Sequence, residues 1–204
     1  KGMSMSTEAA INTQREIAKV AGSLGVAPER MARDFQAAAP RLAAYGSQAV
    51  DVFKKLAAQS KATGIEMSKL LGITEQFDTF EGAAKATAQL NAVLGTTLNS
   101  VDLLTASEGE RIEMIKRSIA ATGQSWDSMG RFERKAIAAT LQISDMDEAA
   151  RLFGTSLGEL EDLEDAVDPQ VLAQQDLQKM MALSTSMQDQ MIAKIEQMAQ
   201  VLGG

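Results

Sequence analysis

VLAQQDLQKMMALSTSMQDQMIAKIEQMAQVL, residues 171–202, contains neither glycine nor proline. Nothing in it interrupts the hydrogen-bond ladder of a helix, and Ala, Leu, Met, Gln and Lys all favour helix. Asp168 precedes it as an N-cap, with Pro169 in the first turn. Leu177, Ser184, Met191 and Met198 recur every seven residues, and Met180, Met187, Lys194 and Val201 form a second register. Together they make an a/d seam, blemished at Ser184 and Lys194. Ile192, Ile195 and Leu202 widen the stripe. A helix over about 33 residues would be roughly 50 Å long. A free helix of this kind would hold its apolar stripe in water, so the seam is expected to fold back on the body or to pair with another copy. Leu177, Met180, Met187, Met191, Ile195, Met198, Val201 and Leu202 are therefore the candidate oligomer or partner seam.

Upstream, the pattern changes. ELEDLEDAVDP, residues 159–169, is an acidic run and reads as a connector. Before residue 155 the helices are short and broken at glycines. The spacing predicts a first helix over about residues 6–21, a short one opened by Pro28, and a longer one from Pro40 to Gly64 carrying Ala49, Phe53 and Leu56. A helix with Met67, Leu70 and Leu71 should end at Gly72. Phe77 and Phe80 fall three apart, as on one helical face, and Asp78 with Glu81 forms a candidate cap. Ser107 with Glu110 reads as a capping box before Ile112, Ile115 and Ile119. Ser128 and the pair Ser144 and Asp147 are candidate caps for the two helices that follow. ATGIEMSKL (62–70) and ATGQSWDSM (121–129) echo each other, but without a fixed period. No segment alternates with period two. The expected fold is all-α: a glycine-punctuated bundle of short helices (1–154), an acidic connector (155–168) and a long, coiled-coil-like C-terminal helix (169–204).

Composition bounds the function. Hydrophobic residues make up 45% of the 204, enough for a core, but aromatics reach only 4% while methionines number 12. Small residues and methionine suit close helix packing and shared interfaces. The net charge of −7 disfavours a broad phosphate-binding face, so no sequence-specific nucleic-acid partner is expected. No stretch has the roughly 20 apolar residues of a membrane span. The opening Lys1-Gly2-Met3 suggests a fragment or a processed chain.

The chain has no cysteine and no histidine. Thiolate nucleophiles, zinc–thiolate sites and the usual general base are thereby removed. Glu108, Glu110 and Glu113 around Arg111, and the acids of 159–165, are adjacent in sequence on helices. A carboxylate pair set across a cleft, as in glycoside hydrolysis, is not what such spacing provides. Nor does the acidic run have the ligand spacing and central glycine of a calcium loop. Lys54-Lys55 and Lys116-Arg117 read as solvated surface spots, and Trp126 as a staple against the helix after it. No catalytic residue, metal site or cofactor is assigned.

Within residues 62–154, FDTFEGAA, LNAVLG, NSVDLL, ERIEMI, FERKAIA and DEAARLFG occur in an order and approximate spacing that resembles bacteriophage tail tape measure proteins. The resemblance covers nearly half the chain. It implies a structural virion protein inside the tail tube or at its tip, in several copies, contacting tail tube and baseplate proteins. Such a protein would set tail length and leave the tube at genome ejection. The alternative is a helical scaffold or chaperone-like module for another assembly protein. A carboxylate-dependent cell-wall hydrolase is the third reading.

Overall fold

Capping residues, rather than glycines, set most of the helix starts. The computed structural model describes the backbone of residues 7–202 and the side-chain surroundings of residues 11–187. The described residues form helices joined by short turns, with no strand. Two units emerge, Lys1–Val167 and Asp168–Gly204.

The first unit opens with α1 (Thr7–Ser23) and α2 (Pro28–Leu42). Pro28 sits in the first turn of α2, as its fixed φ and missing N–H allow. Pro40 was expected to start a new helix but lies inside α2. The break comes after it, in a 3-10 stretch, Ala43–Gln48, where Gly46 takes φ 55°. Next is α3 (Ala49–Thr63), closed by Gly64 in the left-handed region, its N–H bonded to the Ser60 carbonyl.

α3 is the central helix. Val52, Phe53, Leu56, Ala57 and Ala58 are all buried, as are Lys54 and Gln59 among them. A helix covered almost all round belongs to a core. Phe53 meets Phe35 of α2 edge to face, with centroids 5.0 Å apart.

α4 (Met67–Thr74) runs straight through Gly72, so that glycine does not end it. A 3-10 turn, Glu75–Asp78, leads to α5 (Phe80–Leu94). The turn separates the two phenylalanines expected on one face. Phe77 is fully buried, whereas Phe80 is 65% exposed at the start of α5. The cap here is Thr79, whose hydroxyl accepts from the Gly82 N–H, in place of Asp78.

α6 (Ser100–Thr105) is capped by Asn99, and α7 (Glu108–Ala121) follows at once. The expected Ser107–Glu110 pairing is present. The Glu110 carboxylate accepts from both the N–H and the hydroxyl of Ser107. α8 (Arg131–Thr140) starts at Gly130, because Ser128 is occupied in a turn with Ser125. α9 (Met146–Gly154) is capped by Asp145, one residue beyond the expected Ser144.

The acidic run is not a connector. It forms α10 (Leu157–Ala166), capped by Ser156 and packed on α3 and α7 within the first unit. Leu160 is its buried anchor. The division therefore falls after Val167 and not at residue 154. Leu160, with Leu157 and Leu163 half-buried on either side of it, docks the helix, while Glu159, Glu161, Asp162 and Asp165 stay in water.

The second unit is α11 (Pro169–Leu202). Asp168 caps it as expected, its Oδ1 accepting from the Gln170 N–H at 2.7 Å.

Candidate assembly surfaces

The side chains of α11 decide what the second unit offers. Leu177 is 54% exposed, Met180 67% and Met187 65%. Met181 and Leu183 are exposed to a similar degree. At 100° per residue, Leu183, Met187, Met180, Leu177 and Met181 fall within one sector of roughly 160°. The row is wider than the a/d spacing marks, and Met181 and Leu183 were missed. The signal for them was present: Leu183 stands three after Met180 and four before Met187. Met191, Ile195, Met198, Val201 and Leu202, the rest of the expected seam, lie outside the described side chains.

In the first unit the charged groups near the helix junctions turn inward. Arg111 of α7 is buried. Its Nε donates to the Leu103 carbonyl at 2.8 Å, and its guanidinium also reaches the carbonyls of Leu104 and Thr74 and the Asp78 carboxylate. One planar fork thereby satisfies the C-terminal carbonyls of α4 and α6. Around it, Glu110 is held below the usual carboxylate range, first by the Ser107 N–H. Glu108 is buried at the start of α7, where the helix dipole favours a negative charge. Burial, with the Glu108 carboxylate nearby, pushes the Tyr45 phenol up.

In each basic spot the first lysine is buried and not solvated, whereas Lys55 and Arg117 keep partly exposed side chains. Lys54 is buried and paired with Glu16 at 3.3 Å and Asp51 at 3.4 Å. Lys116 is buried too, its Nζ donating to the Leu152 carbonyl at 2.7 Å and the Thr155 carbonyl at 2.8 Å. It caps the C-terminus of α9, where a cation suits the helix dipole. Burial pulls its pKa down to about 8. Nothing in the local pattern distinguishes these lysines from surface ones. Their burial follows from which helices pack together.

Trp126 is buried, stacked on Phe153 of α9 with centroids 5.7 Å apart. Arg134 of α8 also lies over the Trp126 ring, 5.5 Å from its centroid, and donates to the Trp126 carbonyl. The expected staple against the following helix is there, and it also reaches α9.

Among the described residues the acids do not converge on one site. Glu148 pairs with Lys69, Glu161 with Arg117, and Glu110 with Lys55. Among the described residues no group of three or more potential ligands is arranged to hold a metal ion. Nor, among them, is any helix long and apolar enough to cross a membrane. Compared with protein-family models, curated proteins and solved structures, the chain matches none.

Proposed function

We propose that this chain is a structural, non-catalytic protein of a phage tail, of tape measure type, that works as an assembly of several copies. The observation that supports it is the row Leu177, Met180, Met181, Leu183 and Met187 held in water on α11. Apolar side chains in such a row call for a covering surface, and heptad spacing suits a second α11. The motif order in residues 62–154 supplies the tail setting. On this reading α11 is a coiled-coil seam. The first unit is an anchoring body for tube or baseplate proteins, in the tail-tube lumen or at the tail tip. The chain then takes part in tube assembly and length determination, and leaves at genome ejection.

The test has two arms. Sedimentation of the full chain should show concentration-dependent association that Met180→Glu with Met187→Glu weakens. Cross-linking in purified tails should join the chain to the tube or baseplate proteins. A monomer at high concentration removes the seam. An association without any tail contact would instead support a scaffold for another assembly.

A further inference from the structure

Helices α2 and α4 border a hollow of about 690 Å³. Arg30, Arg33 and Arg41 line it along one side of α2, over a floor that includes Met67 and Leu71. An adjoining hollow shares Arg30 and Met67 and adds Lys61. The acids within reach are Asp34 and Glu66 in the lining and Glu75 beside Arg41. Four cations against these three carboxylates leave one excess positive charge on this face, in a chain whose net charge is −7. Arg41 is engaged with Glu75 at 3.0 Å, and Arg30 with Asp34 at 3.8 Å. Arg33 is exposed and has no ion pair among the described residues.

The complementary surface is on the same chain. α10 carries five acids and no base, and Glu159, Asp162 and Asp165 are exposed. None of these three is ion-paired among the described residues, whereas Glu161 is taken by Arg117. Their spacing of three places them in one row, with successive carboxylates about 4.5 Å apart along the axis. Arg30 and Arg33 are also three apart. We propose that the α2–α4 hollow of one copy receives the acidic row of α10 from a second copy. Groove and helix are different patches, so the contact is heterologous, and the pair keeps a free helix on one copy and a free groove on the other. Such contacts propagate head to tail unless they close into a ring. The proposal does not depend on the α11 seam, which is apolar and responds weakly to salt.

Sedimentation velocity of the full chain at about 25 mM and about 500 mM NaCl separates the two contacts. Wild type should form larger species at low salt that disappear at high salt. Arg33→Glu and Asp162→Arg should each weaken this salt-dependent association about tenfold or more. Both positions are exposed, and unchanged far-UV dichroism and melting would show that each variant folds. An equimolar mixture should regain association, because the intact groove of the Asp162→Arg chain meets the intact α10 of the Arg33→Glu chain. Wild-type sedimentation indifferent to salt would overturn the proposal. So would single variants that associate like wild type, or a mixture that stays apart. Retention of an oligonucleotide by wild type and not by Arg33→Glu, with self-association untouched by Asp162→Arg, would assign the hollow to phosphate instead and overturn it as well.

Discussion

Three glycines inside helices allow a graded test of the packing. In isolation each Gly→Ala change should stabilise a helix by about 1 kcal/mol, less near an end. What the new methyl meets then decides the sign. At Gly72, in the last turn of α4, a Cβ would have nothing within 4 Å. Gly72→Ala should therefore realise the part of that gain left near a helix end. At Gly109, in the first turn of α7, a Cβ would lie 3.0 Å from Lys55 Cβ and 3.4 Å from Gln59 Nε2. Here α7 must move off α3 by a few tenths of an ångström, which also strains the 2.8 Å bond from Gln59 to the Gly109 carbonyl. The helix gain and this cost, about 1–2 kcal/mol, should roughly cancel or leave the variant slightly destabilised. At Gly82 a Cβ would lie 2.1 Å from the backbone oxygen of Gln76 and 3.0 Å from Thr79 Oγ1. A main-chain carbonyl cannot rotate aside as a side chain can. The 3-10 turn before α5 must open, with a cost of about 3 kcal/mol or more. Urea unfolding followed by far-UV dichroism gives the three values, and a chain of this size shifts its melting point by about 2–4 °C per kcal/mol. The expected order of stability is Gly72→Ala above wild type, Gly109→Ala at or below it, and Gly82→Ala lowest. A Gly82→Ala protein as stable as wild type would refute the close turn before α5. A strongly destabilised Gly72→Ala would refute the open surface on α4.

Further outcomes follow from single residues. Lys116 binds its proton less tightly folded (about 8) than unfolded (10.5), so between those values the unfolded chain holds more protons and stability rises with pH. The rise should be at most about 3 kcal/mol, should be seen by urea titration from pH 8 to 10, and should vanish in Lys116→Met; above pH 10 the raised Tyr45 works in the opposite direction. Gln142 holds φ 56° at the end of α8, where the Ile143 N–H bonds the Ala138 carbonyl, so Gln142→Gly should add about 1 kcal/mol in thermal melts. A chain ending at residue 154 should melt lower and less cooperatively than one ending at residue 167, since only the longer retains α10 against α3; equal melts would show that α10 is dispensable.

The all-α class was legible because apolar spacing and capping residues are local. Ser107 with Glu110 and Asp168 with Pro169 act within one turn, so their chemistry is complete in the sequence. The errors came where distant segments decide. Pro40 has the local signature of a helix start because proline favours first turns, yet α2 carries it and breaks a few residues later. Lys54 and Lys116 resemble any helical lysine until Glu16, or the end of α9, is placed beside them. The α10 run reads as a connector because acids outnumber its leucines, yet Leu157, Leu160 and Leu163 at a spacing of three are the local sign of a packing face. On α11 the periodicity exposed the row but understated its width, because Met181 and Leu183 flank the a/d positions.

The packing of α10 on α3 also orders events during synthesis. Gln59 of α3 donates to Glu164 of α10 at 3.2 Å, across 105 positions of chain. At about 5–20 residues per second, translation leaves α3 without that cover for about 5–20 s after it has emerged. During that interval the nascent first unit presents one side of its central helix to whatever surrounds the ribosome, and folding of the unit is completed by one of the last segments to appear.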